Sequence, residues 1–414
     1  MSDNFFPQYQ INRQPDDTYD NLGEKEMVKK TGPSKKAASS SKQSSKKSNA
    51  PPEASSPALQ SEEEQQRLLN IFSSAFNETL TSDDFTRILQ EIKQALFNRE
   101  FATAFGREDY VEAYAARWSP TRALCYATVL LSIKSHLDTI LIHNKETKHE
   151  EPVVGHTQSE TVGNENEKST QNAAAGIEAI QDLKLDSTTS RDTSLHMLSV
   201  GGCAAEHIAF ASYIQTTSTN GNLTLLDSGP WAQVVSLLES CTINPPPISK
   251  YASAARQAAN HPMLGKDQLA LSFVQEDVLN LDIDSFSAQC ANGKIPILLT
   301  MLFTLNELYT TAGIGKTTKF LKNLGQVLAP NSLVLVVDSP GSYSEAALGK
   351  EKKKYPMQWL LDHTLLETDT PGYSWEKLQS DDSIWFRLPE GLSYPIALEN
   401  MRYQMHLYRL QKPI

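Results

Sequence analysis

Met197-Leu198-Ser199-Val200-Gly201-Gly202-Cys203-Ala204-Ala205-Glu206-His207-Ile208-Ala209-Phe210 is a strand–turn–helix pattern. Its apolar run ends in two glycines and small residues, and a helical pattern begins at Glu206. Such a turn, placed before a helix N-terminus, can hold the polar end of a nucleotide-like cofactor. We expect Gly201, Gly202 and Cys203 to line that site. A glycine pair also suits a simple strand-to-helix turn. The residues that follow the neighbouring strands are needed to distinguish a cofactor site from such a turn.

Strands and helices alternate from residue 195 onward. The seven strand candidates are residues 195–200, 223–226, 270–275, 297–304, 333–337, 383–388 and 402–410. Helical patterns separate the first five, which predicts a parallel sheet with helices on both faces. The last two follow each other without an obvious long helix, so we expect an antiparallel hairpin at the sheet edge.

Two carboxylates follow the second and third strands. Asp227 ends residues 223–226, and Asp277 follows residues 270–275. At the tip of its strand, Asp227 can accept both ribose hydroxyls of a cofactor, and Asp277 can bond the adenine amino group. Either residue alone could be a helix cap or a turn residue. Together with the glycine turn, they predict a cofactor site across three successive strands.

Composition divides the rest of the chain. Residues 1–60 are rich in Ser, Lys, Pro and Gln and are predicted to be a disordered tail. Residues 61–142 show helical periodicity, residues 143–191 read as an acidic low-complexity insert, and residues 192–414 hold the alternating pattern. The lysines of the tail have two interpretations, a solvated flexible segment or a nuclear address that also contacts RNA phosphates.

Charge and cysteine usage narrow the classes further. The net charge of −11 argues against coating nucleic acid through overall charge, although a locally basic face remains possible. None of the four cysteines has CxxC spacing, so a zinc ribbon or disulfide framework is not expected. No signal peptide or membrane-spanning run is visible. We expect a soluble protein of a reducing compartment, with no metal and no membrane.

This arrangement resembles the class I S-adenosyl-L-methionine-dependent methyltransferases over roughly residues 195–414. The resemblance implies a Rossmann-like, seven-stranded α/β sheet and S-adenosyl-L-methionine as cofactor. The expected molecule therefore combines this sheet with an N-terminal helical domain and a disordered N-terminal tail. Dehydrogenases rank second, because the turn lacks the third glycine of their GxGxxG fingerprint.

Other segments carry a closer resemblance. Besides the glycine turn they are Ala113-Tyr114-Ala115-Ala116-Arg117-Trp118-Ser119-Pro120-Thr121-Arg122-Ala123-Leu124, Thr304-Leu305-Asn306-Glu307-Leu308-Tyr309 and Val336-Val337-Asp338-Ser339-Pro340-Gly341-Ser342-Tyr343-Ser344. Together they resemble the fungal large-subunit (25S) ribosomal RNA uridine-N3 methyltransferases, over most of the chain outside the tail and the insert. The resemblance implies ribosomal RNA or a pre-ribosomal particle as partner, and the nucleus and nucleolus as location.

Position in the fold assigns candidate roles in catalysis. N3 of uridine carries a proton, so the enzyme must remove it and align N3 with the methyl group. Asn306 and Glu307 follow the fourth strand, where the methyl group is expected. Asn306 could bond the uracil carbonyls and Glu307 could take the proton, or both could simply begin the next helix. Tyr343 could stack on the flipped base.

Basic residues offer candidate RNA contacts. Lys350, Lys352, Lys353 and Lys354 could neutralise phosphates or form a solvated face. Arg117 and Arg122 could bind RNA or brace the helical domain. The Walker-like run at Gly313 lacks a preceding strand and is not expected to bind a nucleoside triphosphate. Two alternatives remain open: a methyltransferase for another acceptor, and an inactive ribosome-assembly factor with the same fold.

Overall fold

The computed structural model describes residues 59–149, 194–341, 343–348, 351–367 and 370–413. The first range is helical throughout, with short connections. Its helices are α1 (Glu62–Ala75), α2 (Asn77–Thr81), α3 (Phe85–Phe97), α4 (Phe101–Phe105), α5 (Glu108–Arg117), α6 (Ser119–Ser132) and α7 (Lys134–His149). Most of the predicted tail and insert lie outside the described residues. The helical region itself runs to His149 rather than to residue 142.

Strands and helices alternate in the following ranges. They are β1 (Ser194–Val200), α8 (Ala205–Thr217), β2 (Asn220–Asp227), α9 (Ala232–Ile243), α10 (Ala254–Ala258), β3 (Leu269–Gln275), α11 (Ile283–Gln289), a 3₁₀ turn (Ala291–Gly293), β4 (Leu298–Leu302), α12 (Leu305–Val327), β5 (Leu333–Asp338), β6 (Tyr343–Leu348), β7 (Glu351–Pro356), α13 (Met357–Leu365), β8 (Ser374–Phe386) and β9 (Met401–Gln411).

The main sheet has seven strands in the order β3-β2-β1-β4-β5-β9-β8. β1 pairs in parallel with both β2 and β4, and β9 pairs antiparallel with β5 and β8. The predicted parallel sheet with a terminal antiparallel hairpin is therefore confirmed. Strand order reverses at β1, so ligands are expected in the crevice at the carboxyl ends of β1 and β4.

Burial explains why the central strands were the easiest to predict. Every residue of β4 and β5 is buried, which matches their continuous apolar runs. The edge strand β3 has no fully buried residue. A parallel strand with helices on both faces needs apolar side chains in both directions, whereas an edge strand does not.

Two features differ from the prediction. β8 begins at Ser374 rather than at residue 383, and register shifts occur at Lys377/Gln379 and Asp381/Ile384. These irregularities break the alternation of apolar and polar residues that identifies a strand. The second feature is the β6–β7 hairpin, which was not predicted. Its second strand is rich in lysine, a residue that is less frequent in strands than elsewhere.

The helical region and the sheet share one hydrophobic core. Buried residues of α1, α5 and α6 belong to the same cluster as those of β1, α8 and β5. At the surface of this junction, Arg117 forms a 2.7 Å ion pair with Glu399, and the Tyr394 hydroxyl donates to the carbonyl of Ala116 at 2.7 Å. The helices therefore form a fixed wall beside the sheet.

Among the described helices, none alone has both the length and the apolar character needed to cross a membrane. The bent pair formed by Ser119–Ser132 and Lys134–Asn144 meets that test only by combined length and composition.

Candidate active site

A cavity of about 420 Å³ lies at the carboxyl ends of the central strands. Its walls come from the β1–α8 turn, the ends of β2, β3 and β4, and the start of α12. Helices α4, α5 and α6 close it from the side of the helical region. The volume falls within the range of about 300–1,000 Å³ that is usual for small-molecule sites.

The glycine turn forms the floor of this cavity. Gly201 has a φ of +73°, and a Cβ there would lie 2.2 Å from Cγ2 of Thr304. The hydroxyl of Thr304 donates to the Gly201 carbonyl at 3.1 Å, which ties the turn to the end of β4. A Cβ on Gly202 would lie 2.3 Å from Cδ of the Glu206 carboxyl group. The positive φ and the close packing therefore require glycine at 201, whereas a Cβ at 202 would displace the Glu206 carboxyl group.

The other predicted cofactor residues lie around the same cavity. Asp227 lies at the end of β2, and its Oδ1 accepts the backbone N–H of Gly229 at 2.7 Å. Burial raises the pKa of Asp227, and this hydrogen bond opposes the increase. Asp277 accepts the backbone N–H of Leu279 at 3.0 Å and the amide of Asn280 at 2.7 Å. Both carboxylates line the cavity.

Cys203 also lines the cavity and is almost fully buried. Burial raises the pKa of its thiol well above the usual value. The thiol is therefore neutral near pH 7 and contributes shape rather than charge. The structure thus brings together all five residues that the sequence assigned to cofactor binding.

Glu307 lies in the first turn of α12 and lines the cavity. Burial raises the pKa of this half-buried carboxyl group to about 8, against the opposing charge of Arg122. Asp338 and Asp227 raise it further through their negative charges. A carboxyl group with this pKa exchanges its proton near neutral pH, which suits a general base or acid.

Asn306 does not line the cavity, although it is adjacent to Glu307. It is 6% exposed, and its backbone N–H donates to Oδ2 of Asp338 at 3.1 Å. Successive residues of a helix point about 100° apart, so the two side chains leave α12 in different directions. The position of Asn306 does not support the predicted contact with the substrate base.

Asp338 fixes the start of α12. It ends β5 and is 3% exposed; its two carboxylate oxygens accept the backbone N–H groups of Asn306 and Ser339. A carboxylate in this position satisfies a free N–H group of the first helical turn. The end of β5 therefore determines where Glu307 enters the cavity.

A family model described as "Putative SAM-dependent methyltransferase" matches residues 72–409. The match includes the helical region as well as the sheet. This chain belongs to that family of S-adenosyl-L-methionine-dependent methyltransferases.

Relatives of this methyltransferase include a curated protein of Saccharomyces cerevisiae named 25S rRNA (uridine(2843)-N(3))-methyltransferase. The two are 28% identical over 352 residues, which cover 82% of this chain and 84% of the relative.

Two solved structures were also compared. The antibiotic-resistance methyltransferase Kmr is 10% identical over 53% of this chain and 88% of its own, with a TM-score of 0.29. The N-methyltransferase NodS from Bradyrhizobium japonicum, in complex with S-adenosyl-L-homocysteine, is 10% identical over 53% of this chain and 79% of its own, with a TM-score of 0.26.

The cavity of this methyltransferase fits its cofactor. Gly201 and Gly202 line the cavity without side chains of their own, and two carboxylates stand at the tips of β2 and β3. Hydrogen-bond acceptors at these tips match ribose hydroxyls and an adenine amino group. Residues that could hold a metal ion are not grouped in this way, because no cluster of three or more His, Cys, Asp or Glu occurs among the described residues.

Three charged residues of the cavity, Glu206, Arg122 and Glu276, were not predicted as site residues. Glu206, 5% exposed, begins α8 directly beside Gly202. Arg122 comes from α6 and reaches the cavity from the helical region. An acidic residue after a glycine turn is a signal that could have identified Glu206. Arg122 depends on how α6 packs against α8, which no local pattern reveals.

The other candidates from the sequence are Arg117, Tyr343, the lysines at 350–354 and the Walker-like run. Arg117 is held by Glu399 and its side chain is only 12% exposed, which favours the bracing role over RNA contact. The side chains of Tyr343 and of the lysines at 350–354 lie outside the described residues. The Walker-like run lies within α12, where Gly313 interrupts the helix with a φ of +80°. This position agrees with the prediction that it is not a phosphate loop.

Proposed function

We propose that this methyltransferase acts on N3 of a uridine in large-subunit (25S) ribosomal RNA, either free or in a pre-ribosomal particle. The observation that carries the proposal is Glu307, a half-buried carboxyl group with a pKa of about 8 in the cavity wall. The curated yeast relative, whose name gives this reaction, supports the choice of acceptor.

Glu307 is proposed to act as the general base. When bound, the cofactor supplies a methyl group activated by its positively charged sulfur. The Glu307 carboxylate would take the N3 proton and so leave N3 with a lone pair for the methyl group that the bound cofactor would supply. The proton stays on Glu307 until solvent removes it. A pKa near the working pH is the best compromise for this transfer.

Cofactor binding is proposed for the residues of the sheet edge. Gly201, Gly202 and Cys203 would surround the central part of the cofactor, Asp227 its ribose hydroxyls and Asp277 its adenine amino group. Alignment of N3 with the methyl carbon would account for much of the rate, since two reactants become one positioned pair.

A stack of three rings, two of them exposed, supports an RNA substrate. Tyr355 lies parallel to Trp359 at a centroid distance of 5.0 Å, and Trp359 lies parallel to His363, also at 5.0 Å. Trp359 is 44% exposed, and the sequence places Lys352, Lys353 and Lys354 directly before Tyr355. Unpaired bases stack on exposed aromatic rings, and lysines neutralise the phosphates.

The β6–β7 hairpin extends this surface. β6 follows β5 beyond the carboxyl edge of the sheet and contacts α12, the helix that carries Glu307. We propose that Tyr343, at the start of β6, stacks on the base that enters the cavity. The lysines at 350–354 would contact the flanking phosphates.

We also propose that the protein acts in the nucleus and nucleolus, where ribosomal RNA is made. The lysine-rich segment within residues 1–60 would serve as the address.

Mass-spectrometric mapping of nucleosides tests the function. Large-subunit ribosomal RNA from cells with and without the protein is digested and its N3-methyluridine quantified. We expect one N3-methyluridine to disappear with the protein and to return with the wild-type gene but not with Glu307→Gln. Unchanged N3-methyluridine would exclude this acceptor and favour another methyl acceptor. Return of the modification with Glu307→Gln would exclude Glu307 as the base.

A further inference from the structure

Arg122 presents a guanidinium group to the cavity without a protein acceptor. The central carbon (Cζ) of the group lies 4.9 Å from the ring centroid of Phe303 and 5.2 Å from the ring centroid of Tyr114. Within the described residues, the side chain of Arg122 makes no hydrogen bond and no ion pair. Its five N–H donors, held in one plane, match a carboxylate or a phosphate. A half-buried cation of this kind indicates a site for an anion.

The backbone of Phe303, whose ring contacts Arg122, is strained. Its φ is +62°, a region that few residues other than glycine adopt. The backbone N–H of Phe303 donates to the carbonyl of Val337 at 2.6 Å, which anchors the strained residue to β5. Strained residues of this kind cluster at ligand sites, where the surrounding structure must impose them.

Glu206 presents the opposite charge to the same cavity. Its carboxyl group lies against Gly202, at the first turn of α8. Burial raises the pKa of Glu206 to about 7, and Arg122 and Asp227 are the charged groups that act on it. No ion pair joins Glu206 to Arg122 in the part of the chain that the structure describes. Among the charged groups of the cavity, Arg122 and Glu206 thus carry opposite charges close enough to interact, but they are not paired.

We infer that Arg122 and Glu206 bind the two charges at the amino-acid end of the cofactor. Arg122 donates hydrogen bonds from its planar fork to the α-carboxylate, and the α-ammonium group donates to the carboxylate of Glu206. This end of the cofactor is a zwitterion with one negative and one positive group a few bonds apart, and the two residues supply the complementary charges. Charge-assisted hydrogen bonds to both groups favour this ligand over neutral adenosines.

The inference also gives the helical region a role in cofactor binding. Arg122 belongs to α6, whereas Glu206 belongs to α8 of the sheet domain. These two helices pack directly against each other. A cofactor held by both residues is therefore bound by the two parts of the molecule at once.

Isothermal calorimetry with two ligands tests this on the full-length protein. S-adenosyl-L-homocysteine carries the zwitterionic end, and 5′-methylthioadenosine lacks it. We expect Arg122→Met and Glu206→Gln each to weaken S-adenosyl-L-homocysteine at least tenfold and to change 5′-methylthioadenosine less than threefold. Arg122→Lys should lie in between, because it keeps the charge without the fork. The control Arg256→Met, on the exposed surface of α10, should change neither affinity.

Two results would overturn the inference. Equal weakening of both ligands would mean that the residues only maintain the shape of the cavity. Unchanged affinity for S-adenosyl-L-homocysteine would mean that Arg122 serves another anion, such as an RNA phosphate. Retained binding of 5′-methylthioadenosine shows that a variant is folded. The test does not involve the acceptor, so it stands or falls independently of the proposed function.

Discussion

At the scale of single residues, the surroundings of Glu307 determine what it can do. The carboxyl group is half-buried, the positive charge of Arg122 favours its ionisation, and Asp338 and Asp227 oppose it. An exposed glutamate would be ionised at neutral pH and would be a weak base. Burial at the cavity wall converts an ordinary carboxyl group into one that exchanges protons near pH 8.

Replacing Glu307 should affect catalysis far more than cofactor binding. We expect Glu307→Gln to lower kcat by about 10²–10⁴-fold, the usual contribution of a general base, with cofactor affinity within about threefold. The wild-type kcat should rise with pH up to about 8, because the base must be ionised, and the variant should lose this rise. Single-turnover rates between pH 6 and 9 measure both effects. The exposed Glu63→Gln is the matched control, and equal rates for wild type and Glu307→Gln would contradict the assignment.

Stability should depend on pH through the same residue. The pKa of Glu307 is about 8 in the folded protein and near 4.5 in the unfolded chain. The folded state therefore holds a proton that the unfolded state loses, so stability falls as the pH rises from about 4.5 to 8. We expect Glu307→Gln to raise the free energy of unfolding by about 1–3 kcal/mol at pH 8, since each pKa unit corresponds to about 1.4 kcal/mol before screening by solvent.

Urea titrations of wild type and variant at pH 5.5 and 8.0 measure this difference. The difference in free energy of unfolding between variant and wild type should be smaller at pH 5.5, because the stability of the wild type has fallen less at that pH. An advantage of equal size at both pH values would contradict the raised pKa.

The candidate cofactor residues of the cavity were predictable from the sequence because they follow strands. Gly201, Gly202, Cys203, Asp227 and Asp277 all lie at carboxyl ends of predicted strands, and parallel strands bring those ends to one edge. Whether a residue of the next helix turns inward depends on where that helix begins, which is why Asn306 and Glu307 could not be distinguished. The place of Arg122 in the cavity depends on the packing of α6 on α8, whereas Glu206 directly follows the glycine turn.

At the scale of elements, α12 and the segment after β5 form the side of the cavity where the methyl acceptor is proposed to bind. Asp338 anchors the first turn of α12, and β6, β7 and α13 follow along the same edge. The central strands were predictable because burial on both faces leaves continuous apolar runs. The β6–β7 hairpin was not, because its stability does not depend on an apolar pattern.

Trp359 of α13 should contribute to RNA affinity. We expect Trp359→Ala to weaken binding of single-stranded RNA about tenfold, within the range of about 1–3 kcal/mol for one stacked base. Cofactor affinity should not change. Fluorescence anisotropy with a labelled ribosomal RNA fragment measures the loss. The control Tyr251→Ala removes a ring that is 84% exposed elsewhere, and an equal loss in both variants would contradict a specific surface on α13.

At the scale of the whole molecule, the helical region and the sheet act as one body with a shared core. The predicted boundary of the tail needs one adjustment. Gln60 is 7% exposed, and its side-chain amide donates to the hydroxyl of Ser212 at 2.7 Å. A truncation through residue 60 would remove this contact, so residues 1–58 are the segment to delete.

Deletion of residues 1–58 should separate location from catalysis. We expect nuclear enrichment to fall, because the tail carries the lysine cluster, and methylation of purified ribosomal RNA to stay within about twofold. Quantitative imaging of the tagged protein measures the first effect. Replacing the tail lysines by serine is the matched control for length, and nuclear enrichment that survives both changes would contradict the address.

The most direct test is methyl transfer by the purified protein. Large-subunit ribosomal RNA that lacks the modification is incubated with methyl-labelled S-adenosyl-L-methionine and wild-type protein or Glu307→Gln, and the digested nucleosides are separated. We predict that the label appears in N3-methyluridine with the wild type and is at least a hundredfold weaker with the variant. Label in another nucleoside, or in none while calorimetry shows bound cofactor, would contradict uridine N3 as the acceptor.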